Sequence, residues 1–410
     1  MIRSKYTISV LLMTAALLYS TNGMAQRNVA QKNVPCPSDS ISKAVFKGST
    51  NMAYPLFQNT DSKNNSNENV IISPLSINEL LSVIANGADG NTLTQINDVL
   101  GIEDVSAENV SGAYSKLNDY FTSFGSKFTI KNNSSIWIDT KFKPKSDFIA
   151  KNRNTLKAEI RNTSLPVENT KTDINLWCSR NTHNSIKEVF SQPLSKDSKI
   201  ALVNTVFFQG TWKYPFDSDV TRIQEFTNAD GSKSKVMMMQ NEFEFQAFVG
   251  DRIDLLRIPY VNNNVYMEVY LPHKGEKLDD CMRSLTRKQD FQMRKNAVKQ
   301  KVALDIPRTD LKCVIDFKEP LQEMGMTDAF SSEAVLSGIS DNSPQITDIK
   351  QVTCIQISEE GAPAASVRER IKGMDITQAP LFFTINRPFF FTIREHKSGT
   401  ILFMGKVRKL

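Results

Sequence analysis

The sequence predicts an α+β protein built around one large domain. Helix-period patterns gather in the first half of the 410 residues and strand-period patterns in the second. No internal repeat and no Pro/Gly-rich linker cuts the chain. A third observation is the small-residue, polar run Ser358–Gln378 (SEEGAPAASVRERIKGMDITQ), held between two strand-like segments. A loop of about twenty residues inside a compact domain is uncommon, and is usually functional or disordered. Its first half, Gly361–Ser366, has side chains small enough to fit between existing strands, as expected of bait able to become a strand.

Met1–Lys5 carries positive charge, Thr7–Leu18 is a short apolar core, and Gly23-Met24-Ala25 supplies small residues. This is the pattern of an export signal over 1–25, cleaved before Gln26. The core is too short for a membrane span, and Cys36 lies too far away to be a lipid anchor. A secreted protein, extracellular or periplasmic, is expected. Gln26–Asp39 is polar with Pro35 and Pro37, so 26–40 reads as a flexible lead-in. From Ile41 a helical pattern (ISKAVFKGSTNMAYPLFQ) opens the domain at 41–410, and a polar loop follows at Asn59–Asn69.

NVIISPLSINELLSVIANGA reads as a short strand ending at Pro74, then a helix capped by Ser73 or Ser76. Strand signals follow at Phe128–Ile138 and Ile200–Phe208. Ile253–Pro259 and Val265–Leu271 form a hairpin around Asn262-Asn263-Asn264. Further strands are expected at Val302–Ile306, Gln351–Ile357 and Thr400–Lys406. The aromatic block Leu381–Ile393 (LFFTINRPFFFTI) is too apolar to stay exposed.

A hydrophobic fraction of 40% and a charged fraction of 23% allow a sizeable core. The net charge of +6 loses two units when Arg3 and Lys5 leave with the signal, too little to argue for nucleic acid. Five cysteines (Cys36, Cys178, Cys281, Cys313 and Cys354) show no CxxC spacing. Cys178 and Cys354 sit in apolar contexts and read as buried thiols. Of the histidines, His183, His273 and His396, none lies in a metal-binding pair, and no nucleophile elbow or phosphate loop occurs. Glu359 and Glu360 would point to opposite faces of a strand, so they are no dyad. An enzyme is not expected, nor a catalytic residue, a metal or a cofactor.

FTINRPFFFTI at Phe383–Ile393 resembles the signature segment of the serpin family. NVIISPLS (69–76) resembles the family's early strand-to-helix motif, and NTVFFQGTWKYPF (204–216) its N-x-x-x-F-x-G-x-W-x-x-x-F block. VMMMQ (236–240), IPY (258–260), IPR (306–308) and LFMGKV (402–407) fall in the expected order, so the similarity covers about Ile41 to Leu410. It implies three β-sheets, eight or nine helices and an exposed reactive-centre loop at about 361–380. It also implies a monomer whose partner is a serine-type protease, with cysteine proteases as a second class. That protease cleaves the loop, is trapped as a covalent acyl-enzyme, and is carried away as the loop inserts into the largest sheet.

The resemblance assigns Ser73, Ser76 and Asn204 to a polar cluster under the opening of the sheet, with Gln351 in place of the family's usual histidine. An amide both donates and accepts, so the cluster keeps its bonds but loses pH sensitivity. Trp212 matches the tryptophan where insertion begins, and Glu359 and Arg308 an ion pair that holds the gap closed. The hinge is Glu360, Gly361, Ala362, Pro363, Ala364, Ala365 and Ser366. Family spacing puts the scissile bond at Asp375-Ile376, with Met374-Asp375 and Thr377-Gln378 as alternatives. Pro363 has no backbone donor, and Arg368 would carry a charge beneath the sheet. Both features belong to a second reading, a non-inhibitory member acting as a binding or chaperone-like protein.

Overall fold

The protein is described by a computed structural model over residues 34–64, 67–102, 105–261, 263–359 and 379–410. The chain opens with α1 (Ser40–Lys63), β1 (Val70–Ile72), α2 (Pro74–Ala85), α3 (Gly90–Leu100) and α4 (Ala107–Thr122). There follow β2 (Phe128–Ile138), α5 (Ser146–Thr155), β3 (Glu159–Asn162), α6 (Glu168–Asn181) and β4 (Ile200–Gly210). The middle is strand-rich: β5 (Arg222–Thr227), β6 (Lys233–Phe248), β7 (Ile253–Pro259) and β8 (Val265–Pro272). Next come α7 (Leu278–Ser284), α8 (Arg287–Asn296), β9 (Val298–Pro307), β10 (Thr309–Asp316) and α9 (Lys318–Glu323). The last strands are β11 (Ile346–Ile357), β12 (Leu381–Thr384), β13 (Phe389–Glu395) and β14 (Ile401–Val407).

A five-stranded sheet runs β10-β11-β4-β2-β3. Its central pair, β11 and β4, is parallel, with Gln351 opposite Asn204. The other sheet runs β1-β14-β13-β8-β7-β6-β9-β12, with β5 also on β6. The 16-residue β6 pairs β5 through Lys233–Met238, β9 through Met238–Ala247 and β7 through Gln246–Phe248. One long strand therefore joins two of the three sheets that the resemblance implies.

Helix α2 is buried on every residue and packs against both β14 and β4. It lies between the two sheets, and its buried polar residues are bonded there: Asn78 donates to Ser49 Oγ (3.0 Å) and Ser82 to the Asn78 carbonyl (2.7 Å). Ser73 caps it by accepting from the Ser76 N–H, and Pro74 takes the first turn, where its missing donor costs nothing. A second apolar cluster forms where α6 covers the other face of the five-stranded sheet: Trp177 and Ile174 meet Trp137, Ala201, Val203 and Val352.

β2, β7 and β8 fall where the sequence puts them, but β9 and β11 begin earlier than expected, at Val298 and Ile346. β3, β5, β6 and β10 are strands beyond those expected, and two further readings are corrected. Helix α1 continues to Lys63 rather than giving way at Asn59. Its polar end stays helical because Thr60 Oγ1 donates to the Leu56 carbonyl (2.7 Å) and is buried. The aromatic block is two strands, not one, broken at 385–388 by Pro388. β12 pairs with β9 while β13 joins β14 and β8, and Phe382 is 77% exposed. Cys178 and Cys354 are buried, unpaired thiols, and burial pushes Cys178 up to about 12.

Candidate functional site

The parallel pair β11/β4 sets the site. β11 ends at Ile357, and the loop that resembles bait begins directly beyond it. A chain turning back from that point would run antiparallel to both neighbours, so the topology accepts a strand between them. The hinge (Glu360, Gly361, Ala362, Pro363, Ala364, Ala365, Ser366), Arg368 and the candidate bond residues Met374, Asp375, Ile376 and Thr377 lie outside the described residues.

Beneath the middle of the pair, a string of amides crosses the sheet. Gln351 accepts from the Ser73 N–H at its Oε1 (2.7 Å). Its Nε2 donates to the Ser73 carbonyl (3.1 Å) and to Asn204 Oδ1 (3.0 Å). Asn204 Nδ2 in turn donates to Asn132 Oδ1 (2.7 Å), the Asn133 carbonyl (3.1 Å) and Ser134 Oγ (3.2 Å). Ser73 Oγ donates to the Leu402 carbonyl (2.6 Å) and meets Ser76 Oγ at 2.9 Å. Gln351 and Asn204 are both fully buried. Such groups must keep partners inside a protein, so the string fixes how these strands sit on α2.

The top of the pair is closed by a second group. Trp212 follows β4, stacks on Tyr260 (4.5 Å between ring centres) and donates its indole N–H to the Ser358 carbonyl (2.8 Å). The Phe216 N–H donates to the Glu359 carbonyl (2.9 Å). Glu359 Oε1 accepts from Thr221 Oγ1 (3.1 Å) and from Arg308 (3.3 Å). Gly210 ends β4 because a Cβ there would meet the Tyr260 ring at 2.6 Å. The structure thus brings Trp212, Glu359 and Arg308 together at one end of the β11/β4 pair, and Ser73, Ser76, Asn204 and Gln351 at its middle.

Sequence reasoning missed Thr221, Tyr260 and the asparagines of β2. For the last a signal existed: KNNSS interrupts an otherwise apolar strand (FTIKNNSSIWI), which is odd for residues facing a helix. A cleft of about 840 Å³ beside α1 and α8, lined by Lys47, Arg287 and Lys397 among others, lies apart from these two groups.

A mixed sheet with a parallel central pair, a buried polar string beneath it and a tryptophan-capped upper end is the setting of the site. The Serpin (serine protease inhibitor) family model matches residues 47–410, and the chain belongs to the serpin family. It is 29% identical to human neuroserpin over 353 residues, covering 83% of this chain and 86% of that one. Against a serine protease inhibitor of Cyanea capillata the identity is 28%, over 83% and 92%. Among solved structures, the native thermophilic serpin Tengpin superposes with a TM-score of 0.77 at 26% identity, covering 91% of this chain and 95% of that one. Native protease nexin-1 with heparin gives 0.78 at 24% identity, over 90% and 100%, a likeness of fold alone.

Proposed function

We propose that this chain is a secreted, monomeric suicide-substrate inhibitor of serine endopeptidases, with cysteine endopeptidases as a second target class. The observation that carries the reading is the direct β11/β4 pairing, in unbroken register from Asp348 to Gln356, with the loop issuing from the end of β11. The catalytic step belongs to the protease. Its serine Oγ attacks the carbonyl of the residue before the scissile bond, and the peptide C–N bond breaks. The new amine leaves with a proton, and an ester holds the two proteins together. The freed loop then enters between β4 and β11, and the Trp212–Ser358 and Arg308–Glu359 contacts give way first because they lie at the entrance.

Asp375-Ile376 is the preferred bond, with Met374-Asp375 and Thr377-Gln378 as alternatives. Arg368, Arg370 and Lys372 invite trypsin-like enzymes, but cleavage there leaves too short a tether to carry a protease across the sheet. Residues 1–25 act as an export signal. Among the described residues no helix is long and apolar enough to cross a membrane. The second reading, a non-inhibitory binding or chaperone-like serpin, rests on Pro363 and Arg368.

Incubation with elastase, chymotrypsin, trypsin and a glutamyl endopeptidase separates the two. A band resistant to denaturation, whose mass is protease plus serpin less the released C-terminal peptide, is the expected result for at least one enzyme. Loop cleavage by all four with no complex excludes inhibition and leaves the second reading.

A further inference from the structure

The polarity of the amide string is fixed at its Ser73 end. A backbone N–H can only donate and a carbonyl only accept, so Gln351 must present Oε1 to the Ser73 N–H and Nε2 to the Ser73 carbonyl. Gln351 then donates to Asn204 and Asn204 donates to Asn132. Asn132 is left with its Nδ2 pointing onward, and that amide donates to Glu79 Oε2 on α2 at 2.8 Å. The string therefore ends on an obligatory acceptor. We propose that Glu79 is a positioning residue for sheet opening, its ionised carboxylate anchoring β2, and with it β4, to α2. This rests on the reading of β4/β11 as the pair that parts.

Glu79 is buried on a wholly buried helix. It faces Asn132 from β2 and Asn118 from α4, whose Nδ2 donates to the same oxygen at 3.2 Å. Tyr114 of α4 lies close enough to be pushed up by it, after burial. No charged side chain among the described residues acts on Glu79 from α1, α3, α4, β2, β4 or β14. Burial raises its carboxyl from 4.5 to about 7, against the two amide bonds. The ionised form makes the stronger, charge-assisted bond to Asn132. The neutral form must keep its proton on Oε1, which is buried and has no partner. When β4 leaves β11 and carries β2 along, Asn132 is withdrawn while Glu79 stays under α4. Losing that donor costs the carboxylate more than the acid, so ionisation holds the sheet shut. The pH sensitivity missing from Gln351 thus resides one link further along, in Glu79.

Hydrogen exchange on the intact protein tests this without any protease. Protection factors, which already divide out the intrinsic pH dependence, are compared for the amides of β4 and β11 at pH 6 and pH 8. The wild type should gain several-fold in protection between pH 6 and pH 8, approaching about tenfold once Glu79 is ionised in both states, the difference between a charge-assisted and a neutral hydrogen bond. Glu79→Gln should be flat across the same range. Should that variant not fold, Asn132→Ala cuts the same link while leaving Asn204 two acceptors, and should also be flat. An unchanged profile in either variant, a flat wild type, or protection that falls toward pH 8 overturns the proposal. A normal pH effect with no covalent complex would instead count against the inhibitory reading alone.

Discussion

Gln351 Nε2 donates to Asn204 Oδ1 at 3.0 Å, directly across the parallel pair β11/β4, at a point where both side chains are fully buried. This bond adds a buried side-chain link to the backbone ladder of the two strands that a new strand would have to separate. It also carries the string to Ser73 on one side and to Asn132 and Glu79 on the other.

Replacing Gln351 by alanine strips the partners of Ser73 N–H and Asn204 Oδ1 together, while the Ser73 carbonyl keeps the Ile77 N–H. An orphaned buried polar group costs about 1–3 kcal/mol. Gln351→Ala should therefore lower the chemical-denaturation midpoint markedly and speed heat-induced conversion to an inserted or polymerised form, read on native gels. Asn204→Ala should do the same, and the double variant should cost less than the two single costs added, since both break one shared bond.

The Arg308–Glu359 pair has an unequal character: the Arg308 side chain is 47% exposed, that of Glu359 only 11%. A partly exposed pair is worth about 0–1 kcal/mol, so Arg308→Ala should shift denaturation little. Glu359→Ala should cost more, because it also removes the acceptor of the buried Thr221 hydroxyl. Equal effects from the two variants would mean that the ion pair alone accounts for the contact.

A larger loss is expected far from the gap. Arg394 on β13 is buried between Glu268 (3.0 Å) and Asp290 (3.1 Å), and Tyr54 and Tyr270 donate to Asp290. Removing one member of a buried charge pair costs about 3–5 kcal/mol. Arg394→Ala should thus yield little folded protein, while Arg394→Ala with Glu268→Gln should recover part of it. Yield of soluble protein and thermal unfolding report both.

Glu79 gives global stability a pH slope of its own. Its carboxyl is held above its ordinary value, at about 7 rather than 4.5, so the native state keeps a proton that the unfolded chain releases. Stability must then fall as pH rises through that window and level off above it. A tenfold difference in proton affinity between the two states is worth about 1.4 kcal/mol. Glu79→Gln should therefore be the more stable form at pH 8 and lose this part of the slope. Sheet parting has the opposite sign, because there Glu79 stays buried. Unfolding midpoints across pH 5 to 8 and exchange in β4 separate the two processes.

The sequence made the sheet legible where alternation was clean: Phe128–Ile138 and the hairpin around Asn263 are found as read. Motif order placed Trp212, Glu359, Arg308, Ser73, Asn204 and Gln351, and the folded chain brings them into two groups along the β11/β4 pair. Three things were not legible. Register decides that Asn132 lies beside Asn204, and no local pattern sets register across strands some 70 residues apart in sequence. Arg394 lies at the end of an aromatic strand beside Glu395, and nothing in that run points to its partners on β8 and α8. The parallel pairing of β11 with β4 is non-local too, and it decides where a strand can enter.

The most direct test is a structure of the protein after its loop has been nicked by a catalytic amount of protease. If the loop enters between β4 and β11, the backbones at Gln351 and Asn204 should move from one strand spacing, about 4.8 Å, to about twice that, with a new strand antiparallel to both. Thermal unfolding should rise sharply in the same sample. Should β4 and β11 remain directly paired in the nicked protein, with unfolding unchanged, the central pair is not an insertion site and the account is wrong.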